Sequence, residues 1–417
     1  MMNYNIKLKD TLFFLLGFFS TFEIVQMFGI SLFSCMLVLV SCYMILSEGK
    51  IFIKSNQKPV CIYIIVVSIS ECMVTFIELE NRNEWITASL KKYILLLFLA
   101  ITFIYVINYQ NGLNMFLRGL YYSCLVEMIW CYLQFVLYKS VGIDINMKLF
   151  GMSHISSSTG QLILSGLNSN AGILVPALFV LILFTNKLLI KFFAFFLFFL
   201  SGTSTMVICG ITVSVILGVR YAWTIIIRKN SHIGKKAFIT VTFLFFAALF
   251  IIIVNQNFVN NLNDSIMRIV DRINSARTKS FTDGSTFTHT RYYTTVRYVW
   301  NKSNIVNVIF GYGIDCAGVP FVRLFKQYAE LLYVPESDPI TFLYNYGIVG
   351  FIYIYWMIIS IIKKGRKVDW KYVAFYCSVV IGGLFYGMFL NWILLLTWIS
   401  IVCVKEKKSI FNITILN

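Results

Sequence analysis

The stretch Val60–Ile77 reads VCIYIIVVSISECMVTFI, and Glu71 is its only charged side chain. Its apolar residues do not alternate with polar ones, as they would in a strand of a membrane β-barrel. A helix of roughly 20 apolar residues crosses the hydrocarbon core of a bilayer. A helix also pairs its backbone polar groups internally, which lipid demands. The stretch therefore predicts a membrane-crossing helix.

The pattern recurs in both directions. Towards the N-terminus, apolar runs lie at roughly Ile30–Leu46 and Thr11–Phe28. Towards the C-terminus they lie at roughly Tyr93–Ile107, Leu117–Tyr138, Gly172–Phe184, Leu188–Leu200, Met206–Ile227 and Ala237–Val254. After the long stretch Asn255–Asp338, another run covers roughly Ile340–Ile362, and Val373–Val404 is long enough for a pair broken near Asn391. The chain is 59% hydrophobic and only 13% charged, whereas soluble domains carry about 25% charged residues. The expectation is an all-α polytopic membrane protein with roughly 12 spans. Residues 1–254 form an N-terminal membrane part, 255–338 a large, partly helical extracytoplasmic loop, and 339–417 a C-terminal membrane part with a cytoplasmic tail. The first run has no small-residue cleavage site and a second run follows at once, so no cleavable signal peptide is expected.

The formal charge of +17 raises nucleic acid as a partner. The basic residues argue against it, because they sit in short clusters between the apolar runs, where the positive-inside rule puts them. With the N-terminus in the cytoplasm, Lys50–Lys58, Lys187, Arg228–Lys236, Lys363–Lys367 and the tail Lys405–Lys408 all fall inside. The polar stretch Lys139–Asn170 and the loop Asn255–Asp338 then fall outside. Of the cysteines, only Cys316 lies outside the apolar runs and no CxxC occurs, so they read as packing residues. His154, His232 and His289 have no metal-ligand spacing. No P-loop lysine motif occurs, so the chain does not look like an ATPase, and the lack of a DxD motif weighs against a metal-dependent nucleotide-sugar transferase.

Charged groups inside the runs are costly. Arg118 and Arg220 lie near cytoplasmic ends and can reach water along their stems. Glu23, Glu71 and Glu127 have no such escape, and for Glu71 and Glu127 function and packing both stay open. In the large loop, Leu262, Ile266, Ile269, Val270 and Ile273 form a helical apolar stripe. A second helix is expected at roughly Thr290–Lys302. Loops this long usually carry function. This one carries His289, Arg291, Arg297, Tyr298, Gly311 and Gly313, then Glu336 and Asp338 at the membrane edge. The planar fork of arginine matches phosphate oxygens, and a carboxylate can take a proton from a sugar hydroxyl. Arg291 and Arg297 are six residues apart, about 120° around a helix, so one is expected to face the site and the other a rim.

The order of these features resembles the O-antigen polymerase and O-antigen ligase superfamily of bacterial polysaccharide assembly, over residues 160–355. Asn168-Ser169-Asn170 before Ala171-Gly172 is similar to the family's Asn-Pro-Asn at the start of a middle span. Ser201-Gly202-Thr203-Ser204 is similar to its Ser-Gly-Ser-Arg turn, with Thr205 where an arginine is frequent. Arg291 or Arg297 before Gly311 and Gly313 matches an arginine, a short helix and Gly-x-Gly in the outer loop. Ligases show His-Asn about eleven residues before a glycine of the next span; from Gly347 that spacing lands on Glu336, which favours the polymerase branch.

The resemblance implies a glycosyltransferase in the cytoplasmic membrane of a bacterium, making capsule, O-antigen or exopolysaccharide. It would move a growing glycan from undecaprenyl diphosphate onto a lipid-linked repeat unit, without nucleotide, metal or other cofactor. Arg291, Arg297, Glu336 and Asp338 would be catalytic, with His289, Tyr298, Gly311, Gly313, Asn168 and Asn170 binding substrate. Membrane lipids, a chain-length regulator and a flippase are the expected partners. The rival readings are a ligase, a lipid-linked oligosaccharide flippase and a non-catalytic scaffold. A flippase would be expected to show internal repeats and short loops.

Overall fold

The computed structural model of the chain describes residues 2–27, 30–78, 83–153, 155, 162–168, 171–200, 206, 208–212, 214–216, 218, 296, 298–320, 337–384, 387–388 and 391–412. Expectations for Arg220, for the apolar run Ala237–Val254, for the Leu262–Ile273 stripe and for the Ser201–Thr205 turn lie outside these residues. The described part is predominantly helical. Its helices are α1 (Met2–Phe18), α2 (Leu32–Glu48), α3 (Lys58–Glu78), α4 (Asn83–Asn108), α5 (Gly112–Val141), α6 (Ile145–Phe150), α7 (Ala171–Phe184), α8 (Leu188–Leu200), α9 (Ile305–Phe310), α10 (Asp338–Val368), α11 (Lys371–Gly383) and α12 (Asn391–Lys405).

Four stretches of the described helices are long and apolar enough to cross a membrane: Ser55–Phe76, Ser89–Asn108, Gly112–Val141 and Asp338–Val368. The shorter α2, α7, α8, α11 and α12 are also apolar. The faces of the long helices are inverted relative to a soluble protein. On α3, Ile62, Ile65, Ile69, Met73 and Phe76 are exposed, while Ser70 and Glu71 are buried beside Tyr63, Val67 and Val74. On α10, Val349, Ile352, Trp356 and Ile359 are exposed. Apolar stripes at helical spacing on the outside fit a lipid surround, where no water is present to penalise their exposure.

Packing inside the bundle follows membrane rules. Gly17 of α1 and Gly119 of α5 interlock: a Cβ on Gly17 would sit 2.1 Å from the Phe116 carbonyl oxygen, and one on Gly119 2.0 Å from that of Phe14. Small residues allow such backbone approach, and short hydroxyl bridges add to it. Ser41 on α2 meets Thr102 on α4 at 2.8 Å, Ser68 on α3 meets Tyr93 on α4 at 2.7 Å, and Tyr376 on α11 donates to Ser400 on α12 at 2.9 Å. The aromatic centre is Trp398, edge-on to both Tyr63 and Phe103 at 5.8 Å.

The first expected span, Thr11–Phe28, is corrected. The helix begins at Met2 and ends at Phe18, and a two-residue hairpin, β1 (Gln26–Met27) with β2 (Ile30–Ser31), stands before α2. Two polar side chains end it: Ser20 Oγ donates back to the Gly17 carbonyl at 2.7 Å, and Thr21 bonds sideways to Ser123 at 2.6 Å. The Ile24 N–H then donates to the Leu167 carbonyl at 3.0 Å, which turns the chain away from the helix axis. α4 starts ten residues before the expected Tyr93. Arg118 is exposed on α5, as an arginine that reaches water must be.

Contacts gather at two ends of the bundle. At one end Lys9 pairs with Glu48, Asn56 with Glu406, and Gln57 with Asn108. Lys371 reaches the Phe411 carbonyl at 3.3 Å, and the Phe411 ring meets Phe184. The expected basic loops around Lys50–Lys58, Lys187 and Lys363–Lys367 and the tail therefore share one end. The opposite end holds the hairpin, the turn Ser165–Asn168, the segment Gly311–Asp315 and the start of α10.

Candidate functional site at the end opposite the basic rim

α10 is broken at Gly347, where φ is 64° and ψ is −171°. A break of this kind takes the carbonyls of the preceding turn out of the helical ladder, and in lipid they need other donors. The Tyr312 N–H donates to the Tyr344 carbonyl at 2.6 Å, and the Gly313 N–H to that of Asn345 at 3.2 Å. The fit is too close for side chains. A Cβ on Gly311 would lie 2.3 Å from the Asn345 oxygen, and one on Gly347 2.2 Å from the Ile309 oxygen. So the Gly-Tyr-Gly segment after α9 is seated, backbone to backbone, on the break in α10.

Glu71 on α3 holds the other side of this segment. One carboxylate oxygen accepts from the Ser89 hydroxyl of α4, and the other from the Ile314 N–H at 3.1 Å. Ser70, its neighbour, donates to the Phe310 carbonyl. Gly313 has φ 99°, and a Cβ there would lie 2.7 Å from the Ser89 oxygen. Tyr312, Cys316, Ala317, Val319 and Val299 form a small apolar cluster with Ile340 and Tyr344 of α10, and the Tyr312 hydroxyl donates to Ser303 at 2.6 Å. Lys92 and Asp315 form an exposed ion pair at 3.6 Å beside it.

Asp338, the first residue of α10, is buried. Both its oxygens lie 3.0 Å from the Met388 N–H, and Gly383 packs against its carboxylate. The aspartate thus joins the start of α10 to the segment between α11 and α12.

A second glutamate, Glu127 on α5, is fully buried and holds the turn before α7. It accepts from the Leu167 N–H at 2.7 Å, while Gln134 accepts from the Gly166 N–H at 3.0 Å. Asn146 donates to the Gly166 carbonyl at 2.8 Å and accepts from the Trp130 indole at 2.8 Å. Gly166 has φ 67°, and a Cβ there would lie 2.0 Å from the Glu127 oxygen. Asn168 is buried in the same turn and donates to the Ser165 carbonyl at 3.2 Å. Glu127 Oε1, Gln134 Nε2, Ser165 Oγ and Asn168 Oδ1 make no hydrogen bond among the described residues.

No family model matches the chain, and no curated protein matches it either. The site is therefore read from its own residues. Of the expected set, Gly311, Gly313 and Asp338 come to one end of the bundle. Asn168 comes to the same end but into the separate turn that Glu127 holds. Tyr298 is half-exposed on the helical stretch before α9. Arg291, Arg297, Glu336, His289 and Asn170 lie outside the described residues. Ser89 and Met388 had no sequence signal. The partners of Glu71 had none either, because the contact joins residues 243 apart in the chain. Among the described residues no cluster of histidine, cysteine and carboxylate side chains suited to a metal occurs, and the cysteines are free thiols.

Proposed function

We propose that this chain is a polysaccharide polymerase of the O-antigen polymerase type, with about 12 spans and the loop Asn255–Asp338 outside the cytoplasmic membrane. The observation that carries the reading is the seat of Gly311–Ile314. This described part of the stretch 255–338 is locked onto a broken helix, at the end of the bundle opposite the basic rim. By the positive-inside rule the basic rim faces the cytoplasm. The locked loop then faces outward, where lipid-linked repeat units are displayed after flipping.

In this reading an acceptor hydroxyl oxygen attacks the anomeric carbon of the donor glycan. The carbon–oxygen bond to the lipid diphosphate breaks, and the diphosphate leaves with the electron pair. Arg291 or Arg297 stabilises that developing charge, a contribution of about 3 kcal/mol for one preorganised donor. The hydroxyl proton goes to a carboxylate. Asp338 is engaged by the Met388 backbone through both oxygens, so Glu336 is the base and Asp338 fixes the start of α10. His289, Tyr298, Asn168 and Asn170 are proposed to bind the substrates; of these, Asn168 lies in the neighbouring turn that Glu127 holds.

The test is substitution in cells that make the polymer. Arg291→Lys or Arg297→Lys keeps charge but loses the two-pronged geometry. At least one of them is expected to abolish long polymer, with the protein still abundant, while single lipid-linked repeat units accumulate outside. Units trapped inside would instead identify a flippase. Long polymer retained on its lipid carrier would identify a ligase. Normal chain length in both lysine variants and in Glu336→Gln overturns the proposed site.

A further inference from the structure

The end of the bundle opposite the site carries a feature that the polymerase reading does not use. Lys58 opens α3, Lys364 lies in the last turns of α10, and Lys405 closes α12. α10 packs on both α3 and α12, Asn56 just before α3 bonds Glu406 just after α12, and Lys405 thereby comes within electrostatic reach of both Lys58 and Lys364. All three lysines are exposed. Lys54, Lys363, Arg366, Lys367, Lys407 and Lys408 are exposed around them. The acid at this corner, Glu406, is taken up by Lys408 at 2.7 Å and by Asn56. Like charges gathered from separate helices repel each other, and an anion placed among them relieves that repulsion.

An apolar feature adjoins the cluster. Ile51, Phe52 and Ile53 are 44%, 68% and 57% exposed. Their backbone is pinned: Asn108 donates to the Phe52 carbonyl at 2.6 Å, and Gln57 bonds both Asn108 at 3.0 Å and the Lys54 N–H at 2.9 Å. The loop therefore holds three apolar side chains outward, immediately before Lys54 and Lys58. A basic corner next to outward apolar groups, at the ends of membrane helices, has the chemistry of an anionic amphiphile's two halves.

We propose that the corner formed by Lys58, Lys364 and Lys405 binds the phosphate headgroup of an anionic phospholipid, with its acyl chains against Ile51, Phe52 and Ile53. Electrostatic attraction near a membrane is worth about fivefold in affinity per lysine. The proposal does not depend on the polymerase reading.

The test uses the full chain in detergent, exchanged into nanodiscs of phosphatidylglycerol and phosphatidylcholine in equal parts. Native mass spectrometry then counts the lipids that stay bound. Phosphatidylglycerol is expected to be retained in excess. The Lys58→Gln/Lys364→Gln/Lys405→Gln variant is expected to bind it about a hundredfold more weakly. Lys139→Gln/Lys148→Gln, at the opposite end, is expected to match the unaltered protein, and Phe52→Ser to lose part of the retention. The triple Lys→Arg variant keeps charge and is expected to keep the lipid, so it separates binding from misfolding if the Gln variant is unstable. Equal retention of both lipids by the unaltered protein overturns the proposal, as does full retention by the Gln variant. Displacement by millimolar inorganic phosphate with no effect of Phe52→Ser also overturns it, in favour of a free-anion site.

Discussion

Glu71 and Glu127 each accept a backbone N–H from the residue after a glycine of positive φ: Ile314 after Gly313, and Leu167 after Gly166. The device is the same, but its surroundings differ. Glu127 reaches 40 residues along the chain, is fully buried, and one of its oxygens makes no hydrogen bond among the described residues. Glu71 reaches 243 residues, is slightly less buried, and uses both oxygens, one on Ser89 and one on Ile314. One latch closes a local turn; the other ties the segment Gly311–Asp315 to α3 and α4. A carboxylate placed among apolar helices can thus do structural work with no basic partner among the described residues, where the backbone supplies the donors.

The largest effect should come from removing the seat that only the Glu71 latch needs. Gly347→Ala places a Cβ 2.2 Å from the Ile309 oxygen at a positive φ. We expect a loss of about 4 kcal/mol from strain and overpacking, read as unfolding in mixed detergent micelles by tryptophan fluorescence. Amide exchange should rise at Tyr312 and Gly313 while Leu167 stays protected. Gly218→Ala, with none of the described residues within 4 Å of the new carbon, is the control and should change little.

Next in size is Glu127→Ala, at about 3 kcal/mol, because it leaves the Leu167 N–H orphaned in a buried turn. Glu71→Ala should cost less, about 2 kcal/mol, because Ser89 can turn its hydroxyl elsewhere. Should Glu71→Ala prove the more damaging, span of the latch rather than its burial sets its worth.

The smallest effect is Ser89→Ala, at about 1 kcal/mol. Its value is in combination. The Ser89→Ala/Glu71→Ala pair should be non-additive by more than about 0.5 kcal/mol, whereas Ser89→Ala/Glu127→Ala should add. Additivity in both pairs would falsify the claim that Ser89 and Glu71 act as one unit.

The contrast between the latches also marks what can be read from a sequence. Long apolar runs such as Val60–Ile77 announce their helices, because a run of roughly 20 residues has few other fates. Boundaries are harder. Ser20 and Thr21 end α1 through bonds to its own last turn and to α5, and neither polar residue breaks the apolar run by composition. Glu71 and Glu127 stand out as buried charges, but their roles depend on backbone groups, and a backbone N–H has no sequence signature. Gly311 and Gly313 read as a Gly-x-Gly pair and Gly347 as the glycine of the next span, but nothing in the sequence says that the pair is seated on the break at Gly347. Asp338 reads as a free acid at a membrane edge, whereas its engagement with Met388 arises only when α11 and α12 fold back on α10.

The interlocked glycines of α1 and α5 carry a consequence for biogenesis. They are as far apart along the chain as Thr21 and Ser123, 102 residues. At about 5–20 residues per second, synthesis takes on the order of 5–20 s to deliver the second after the first. For that interval α1 is in the insertion machinery or the bilayer without the notch it is shaped for. Crosslinking of ribosome-bound chains truncated before and after Gly119 should show α1 leaving a transient neighbour only when α5 has emerged. A bulky residue at Gly119 should prolong that stay, so a defect in helix fit would register first as slow assembly at the ribosome.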